Sequence, residues 1–169
     1  MYFLPAYQIY KQEENFTYLN TYQTVTDFVD NVRMKGYITP QMYEDFQRKL
    51  HVGDVLFDVE IVHQHKIYSP VYTDPQDTTS FTGQYETQYD EYYWEQIKET
   101  LYNKTNVPVA DRKYKLEYGD FISVYVENKT KFKSTMLFDF FTGGFGSDPV
   151  VISVPYGGMV LNEDWSKND

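Results

Sequence analysis

No cysteine occurs in the chain. That excludes disulfide frameworks, thiolate zinc sites and cysteine nucleophiles together, and leaves the compartment open. Long apolar runs are missing as well. The nearest approach is the opening stub Met1-Tyr2-Phe3-Leu4-Pro5-Ala6-Tyr7, far short of the roughly 20 apolar residues that a membrane span needs. Cations are scarce: 15 Lys and Arg stand against 25 Asp and Glu, for a formal net charge of −10. This balance argues against a nucleic-acid surface, which needs clustered cations, and against electrostatic docking on anionic lipid.

Catalytic signatures are absent too. There is no Gly-x-Ser-x-Gly elbow. The glycine-rich stretch Thr142-Gly143-Gly144-Phe145-Gly146 lacks the Lys-Ser or Lys-Thr of a phosphate loop, so it reads as a flexible loop or flap. The acidic group Asp74, Asp77, Glu86, Asp90 and Glu91 does not follow the twelve-residue calcium-loop pattern and reads as a solvated acidic loop. Asp58 and Glu60 lie two apart, but nothing places a second carboxylate across a cleft from either. The expectation is a non-enzymatic protein with no cofactor.

What is present is an ordinary globular balance of 41% hydrophobic and 24% charged residues over 169 positions. This is enough for one domain with a real core. Aromatics reach 19%, with 18 tyrosines. Tyrosine has an apolar body and a polar tip, which suits both strands and half-wet interfaces.

Residues 7–35 read as one long helix. Ile9, Phe16, Leu19, Tyr22, Val25, Val29 and Val32 recur at three-, four- or seven-residue steps and are expected to form a single buried stripe, with Gly36 as the stop. Thr39 and Pro40 announce a second helix with Met42, Tyr43, Phe46 and Leu50 inside, ending near His51, a cation position suited to a helix C-terminus.

From Val55 the period changes to two. A strand runs through Val59 and Ile61 and extends as far as Tyr68, before Pro70. Residues 73–90 read as a long polar loop and 90–103 as a third helix. Alternation at Tyr114, Leu116 and Tyr118 precedes a turn at Gly119-Asp120 and a strand from Phe121 to Glu127. A hairpin turn at Asn128–Lys131 and a returning strand over 133–141 follow. The last strand, 150–156, is broken by Gly157-Gly158, and a polar tail frays after Asn162. The fold class is α+β: a long N-terminal helix and short helices packed on an antiparallel sheet. The chain is one domain, with the helix at 1–35, an α+β head at 36–162 and a tail at 163–169.

Two sets of candidate site residues stand out, and one possible metal pair. His63 and His65 lie two apart on a strand and share a face. They would hold a metal if a carboxylate approached, but the same face carries Val59 and Ile61, so packing is the plainer explanation. On the first helix, Tyr7, Tyr10, Phe16 and Tyr18 are candidate contacts with partner proteins. Tyr85, Tyr89, Tyr92 and Trp94 form an alternative surface for a glycan or peptide, although the spacing of Trp94, Ile97 and Leu101 suits a core position for the tryptophan. Three Asn-x-Thr triplets, at Asn15, Asn103 and Asn128, match the glycosylation acceptor pattern and carry little weight in a polar chain.

The run Gly36-Tyr37-Ile38-Thr39, then Tyr43-Glu44-Asp45-Phe46 and Asp58-Val59-Glu60-Ile61, after the helix from Leu4 to Val32, resembles membrane-anchored pilin-like and Tad-type minor-pilin-like proteins of Firmicutes. The resemblance implies a pilin-like fold, no catalysis, protein subunits of a surface assembly as partners, and an extracytoplasmic, cell-surface setting. It also implies that residues 1–35 are the outer half of a longer helix, whose apolar span of about 20 residues lies upstream of Met1. The membrane would then be reached only through that segment.

Overall fold

The computed structural model describes residues 3–51, 53–103, 106–144 and 151–163. Helix α1 spans Phe3–Lys35, β1 Tyr37–Ile38 and α2 Pro40–Leu50. Strands β2 (Phe57–Tyr72) and β3 (Phe81–Tyr93) lead into α3 (Trp94–Tyr102). A short 3-10 turn at Val109–Asp111, β4 (Tyr114–Lys115), β5 (Phe121–Asn128), α4 (Lys133–Thr142) and β6 (Ser153–Met159) complete the chain. The main sheet is antiparallel with strand order β3-β2-β5-β6, and β1 pairs with β4 as a two-stranded accessory. The fold is α+β, with a long N-terminal helix and short helices on an antiparallel sheet.

Local chemistry explains most boundaries. Thr39 Oγ1 accepts from the Met42 N–H at 3.1 Å, with Pro40 in the first turn, so α2 starts where sequence chemistry placed it. At the end of α2, His51 Nδ1 lies 2.9 Å from the Gln47 carbonyl oxygen. The core is one cluster in which Val25, Phe28, Val29 and Val32 of α1 meet Ile61, Ile122, Val124, Val126 and Val154 of the sheet, with Phe46, Leu50, Ile97 and Leu101 from the short helices. Complete burial of one such aliphatic side chain stabilises by about 1.5–3 kcal/mol.

The single stripe expected along α1 does not exist as one face. Val25, Val29 and Val32 are buried, but Ile9, Phe16, Leu19 and Tyr22 are exposed. At 100° per residue, the steps from Ile9 to Phe16 and Leu19 stay on the side opposite Val25 and Val32. The inward side of this outer half is polar instead. Glu14 and Thr21 are buried there, and Ser134 Oγ of α4 donates to Glu14 Oε2 at 2.7 Å.

Other expectations are corrected too. Residues 81–93 are a strand, not part of a loop, and only 73–80 turn. Every residue of β3 but Tyr92 is exposed, so the strand lacks the apolar alternation of a core strand. α3 therefore begins at Trp94 rather than near 90. β2 continues through Pro70 to Tyr72, because β5 pairs with it only as far as Gln64 and a proline is tolerated where the strand has a free edge.

The segment 133–142 is a helix, not a returning strand. β5 is already flanked by β2 and β6, so no edge beside it remains for a hairpin partner. The helix ends on Gly143, whose φ of 67° supplies a left-handed cap, and the Gly144 N–H donates to the Asp139 carbonyl oxygen at 2.8 Å. Further upstream, the expected alternation at Tyr114, Leu116 and Tyr118 shortens to the two residues of β4.

Finally, Gly157 and Gly158 lie within β6 instead of breaking it. A Cβ on Gly157 would sit 2.7 Å from the Ile122 carbonyl oxygen, and one on Gly158 would sit 2.6 Å from Arg33 Nε. The glycines permit close approach of β5 and of α1. Arg33 uses the space to donate from Nε to the Met159 carbonyl oxygen at 2.9 Å. Residues 145–147 of the glycine loop, Val150, and the tail from 164 lie outside the described residues. Gly157→Ala is expected to destabilise by about 1–3 kcal/mol through overpacking against backbone. Leu19→Ala, at an exposed position, should move stability by under about 0.5 kcal/mol. Urea denaturation of both variants checks the contrast.

Candidate functional site

Beyond Gln64, β2 leaves β5 and continues paired with β3 alone, as a two-stranded ribbon with a bulge between Pro70 and Tyr72. At the root of this ribbon sits a buried polar cluster. Pleating puts His63 and His65 on the core side of β2. The turn before β5 delivers Asp120, which is 1% exposed. Asp120 Oδ2 lies 2.8 Å from His63 Nε2, and Oδ1 lies 3.0 Å from His65 Nδ1. Two backbone N–H groups complete its shell: Lys66 donates to Oδ1 at 3.0 Å and Glu117 to Oδ2 at 2.8 Å. His63 Nδ1 in turn lies 2.7 Å from the Tyr114 hydroxyl, and Tyr92 stacks on the His63 ring at 5.5 Å.

This geometry assigns protons. An ionised carboxylate accepts only, so both imidazoles donate to Asp120. With the proton of a neutral imidazole on Nε2, His63 Nδ1 accepts from the Tyr114 hydroxyl. Burial by itself pushes the Asp120 carboxyl up, but the hydrogen bonds from His63, Lys66 and Glu117 outweigh it and hold the group below the usual carboxylate range. Burial pushes the Tyr114 phenol well above its ordinary value, with Tyr92 and Asp120 adding to the effect, so it stays protonated.

The His63–His65 pair was legible as a same-face pair, and the approaching carboxylate was not. Strand register carried the missing signal. His63 pairs with Ile122, so residue 120 falls beside His65 on the same face.

The other candidates scatter. Tyr7 and Tyr10 are half-buried; Tyr7 lies 6.4 Å from the Phe138 ring, and Tyr10 borders a cleft of about 270 Å³ with Phe132 and Lys133. Phe16 and Tyr18 are exposed, at 67% and 46%. Of the alternative aromatic set, Tyr85 and Tyr89 are exposed on the ribbon. Tyr92 points to the opposite face, against His63, and Trp94 is buried with its ring 4.1 Å from Tyr43. Trp94 is therefore a core residue and does not belong to a ligand-facing surface. Tyr85 and Tyr89 instead share their face with Phe81 and Tyr93, at strand period two. Opposite them on β2 stand Pro70 and Lys66, with Tyr68 between.

The acidic residues at the ribbon tip have local structural work. Asp74 Oδ1 accepts from the Gln76 N–H, and Asp77 Oδ1 accepts from the Thr79 N–H and hydroxyl, which tie off the turn. Asp58 pairs with Lys129, and Glu60 is exposed on the same solvent face of β2. A shallow groove of about 170 Å³ between α1 and α2 is bordered by Thr24, Asp27, Asn31, Met42 and Asp45.

Comparison with protein-family models, with curated proteins and with solved structures finds no match for this chain. No described helix is long and apolar enough to cross a membrane.

Asp120 collects four donors in a buried position, whereas His65 is partly solvated and contributes one bond. Asp120→Ala is expected to cost about 3–5 kcal/mol, because it strands the His63 partner and two backbone N–H groups. His65→Ala should cost about 1 kcal/mol. Chemical denaturation in chelator-treated buffer reads the difference, and equal losses would contradict the geometry.

Proposed function

We propose that this chain is a non-enzymatic structural subunit of an extracytoplasmic, pilus-like or secretion assembly, in which the outer half of α1 packs against neighbouring copies. The observation that carries this reading is the split of α1. Its C-terminal half is buried on the sheet, while Leu4, Ile9, Phe16 and Leu19 are each more than half exposed. Isolated exposed apolar residues are ordinary, but Ile9, Phe16 and Leu19 recur on one side of a projecting helix. Such spacing matches the knobs of a helix–helix contact. The polar inward side, held by Glu14 and Ser134, fixes how the helix is presented.

Sedimentation of the full chain over a range of concentrations should show reversible self-association, and the double substitution Phe16→Glu with Leu19→Glu should abolish it without lowering thermal stability. A wild-type chain that stays monomeric at high concentration would remove the reading. On intact cells of the native host, added protease should reach the chain.

A second reading is favoured by the open sheet face. Phe81, Tyr85, Tyr89 and Tyr93 of β3, with Tyr68 of β2 and Tyr125 of β5, lie on the side away from the core, and each is at least two-fifths exposed. Aromatic faces of this kind stack sugars or extended peptides. A glycan and peptide array is expected to give binding that Tyr85→Ala and Tyr89→Ala remove, while Trp94 plays no direct part. Array signals unchanged in both variants would eliminate this alternative.

A further inference from the structure

One ligand-type atom from each of His63, His65 and Asp120, at the ribbon root, lies within 4.8 Å of the other two. They come from a His-x-His pair on one strand face and a carboxylate on a separate turn, so three covalently rigid anchors converge on one point. Asp120 is separated from the two imidazole nitrogens by 2.8 and 3.0 Å. Ligands sharing one metal at about 2.0–2.2 Å stand about 2.8–3.6 Å apart at octahedral to tetrahedral angles. The two imidazoles now face different oxygens of the carboxylate, so occupation asks both rings to turn toward a common centre.

The surroundings are those of a metal site's outer shell. Lys66 and Glu117 N–H groups orient both carboxylate oxygens, and Tyr114 stands 2.7 Å from the second nitrogen of His63. Outer partners of this kind orient metal ligands. The cluster is closed on the His63 side, where Tyr92 stacks, and opens toward His65, whose side chain is 28% exposed.

We propose that His63, His65 and Asp120 bind one divalent transition-metal ion, of the zinc class, at the base of the β2–β3 ribbon. Two imidazoles and one carboxylate favour zinc and its neighbours over calcium or magnesium, which take oxygen ligands. Without metal, Asp120 is the common acceptor of two imidazole protons. On binding, each of those protons passes by way of solvent to the far nitrogen of its own ring, and the ion takes their place. For His63 the proton then sits on Nδ1, and the Tyr114 hydroxyl turns from donor to acceptor. For a neutral imidazole this exchange gains and loses no proton overall. A water molecule from the His65 side completes the coordination. Such an ion ties β2 to the turn before β5 at the point where the four-stranded sheet narrows to two strands, so it would fix the direction of the ribbon.

The test uses the full chain purified without a polyhistidine tag and stripped with chelator. Zinc chloride titrated by calorimetry should bind at one ion per chain and raise the melting temperature. His65→Ala, which leaves the buried pair intact, should weaken binding on the order of 100-fold or more, and Tyr114→Phe about 10-fold. His51→Ala, at the exposed end of α2, should change neither quantity. Cobalt added in place of zinc should give visible d–d bands that zinc displaces. The proposal is overturned if the wild-type chain takes up less than one zinc without a thermal shift, or if His65→Ala binds as tightly as wild type. The wild-type cobalt spectrum decides the matter even where a variant fails to fold.

Discussion

The contact between the last turns of α1 and the sheet is the constraint on which the remaining elements depend. Val25, Val29 and Val32 are wholly buried there, and the end of the helix is fastened by polar bonds as well. Arg33 reaches the Met159 carbonyl oxygen, the Leu161 N–H donates to the Arg33 carbonyl oxygen at 2.9 Å, and the Tyr156 hydroxyl approaches Asp30 at 3.3 Å. Helix orientation and the path of β6 are thus set together. With α1 fixed, α2 folds back along it, and Phe28 stacks on Phe46 at 4.5 Å. Core packing then ends partway along α1, and the outer helix meets α4 instead, where Ser134 donates to Glu14.

Elements with a core face were the ones legible in the sequence. α2 showed its cap, its proline and its buried positions, and β2 and β5 showed their alternation. Elements were misread where tertiary placement overrode local pattern. β3 covers the core side with Tyr92 alone, so its Phe81-Tyr85-Tyr89-Tyr93 spacing had no hydrophobic partner to reveal it. α4 has Met136, Phe138 and Phe140 at alternate positions, which imitates a strand. Only the occupied edges of β5 and the Gly143 cap decide for a helix. The stripe on α1 combined residues from two different faces, because steps of seven and three drift around a helix over long distances. The candidate site was half legible. Two histidines on one strand announce a shared face, but Asp120 is fifty-five residues beyond His65 in the chain, and only strand register brings it there.

Tyrosine use divides along the same line. Tyr43, Tyr92 and Tyr114 contribute rings to packing while their hydroxyls or ring faces serve polar neighbours. Gln47 Nε2 donates to the Tyr43 hydroxyl at 2.7 Å. By contrast, Tyr68, Tyr85, Tyr89, Tyr93 and Tyr125 stand on the uncovered side of the sheet. One residue type thus supports both the interior and the open face, and composition alone could not separate the two uses.

Among the described residues β3 is the outermost strand of the main sheet, so along one side its backbone donors and acceptors pair with no other strand. A strand rich in tyrosine and threonine, with an open edge, is a template for pairing with a second chain. Glu86, Asp90 and Glu91 interrupt it, and the chain as a whole carries a formal charge of −10. Glu91 is also held below the usual carboxylate range by hydrogen bonds from Gln64 and Tyr93, so its charge persists into mild acid. Like charges brought side by side across two such edges repel. The acidity of this protein, uninformative about fold, therefore acts as the gatekeeper that keeps its longest unshielded strand from stacking into fibres.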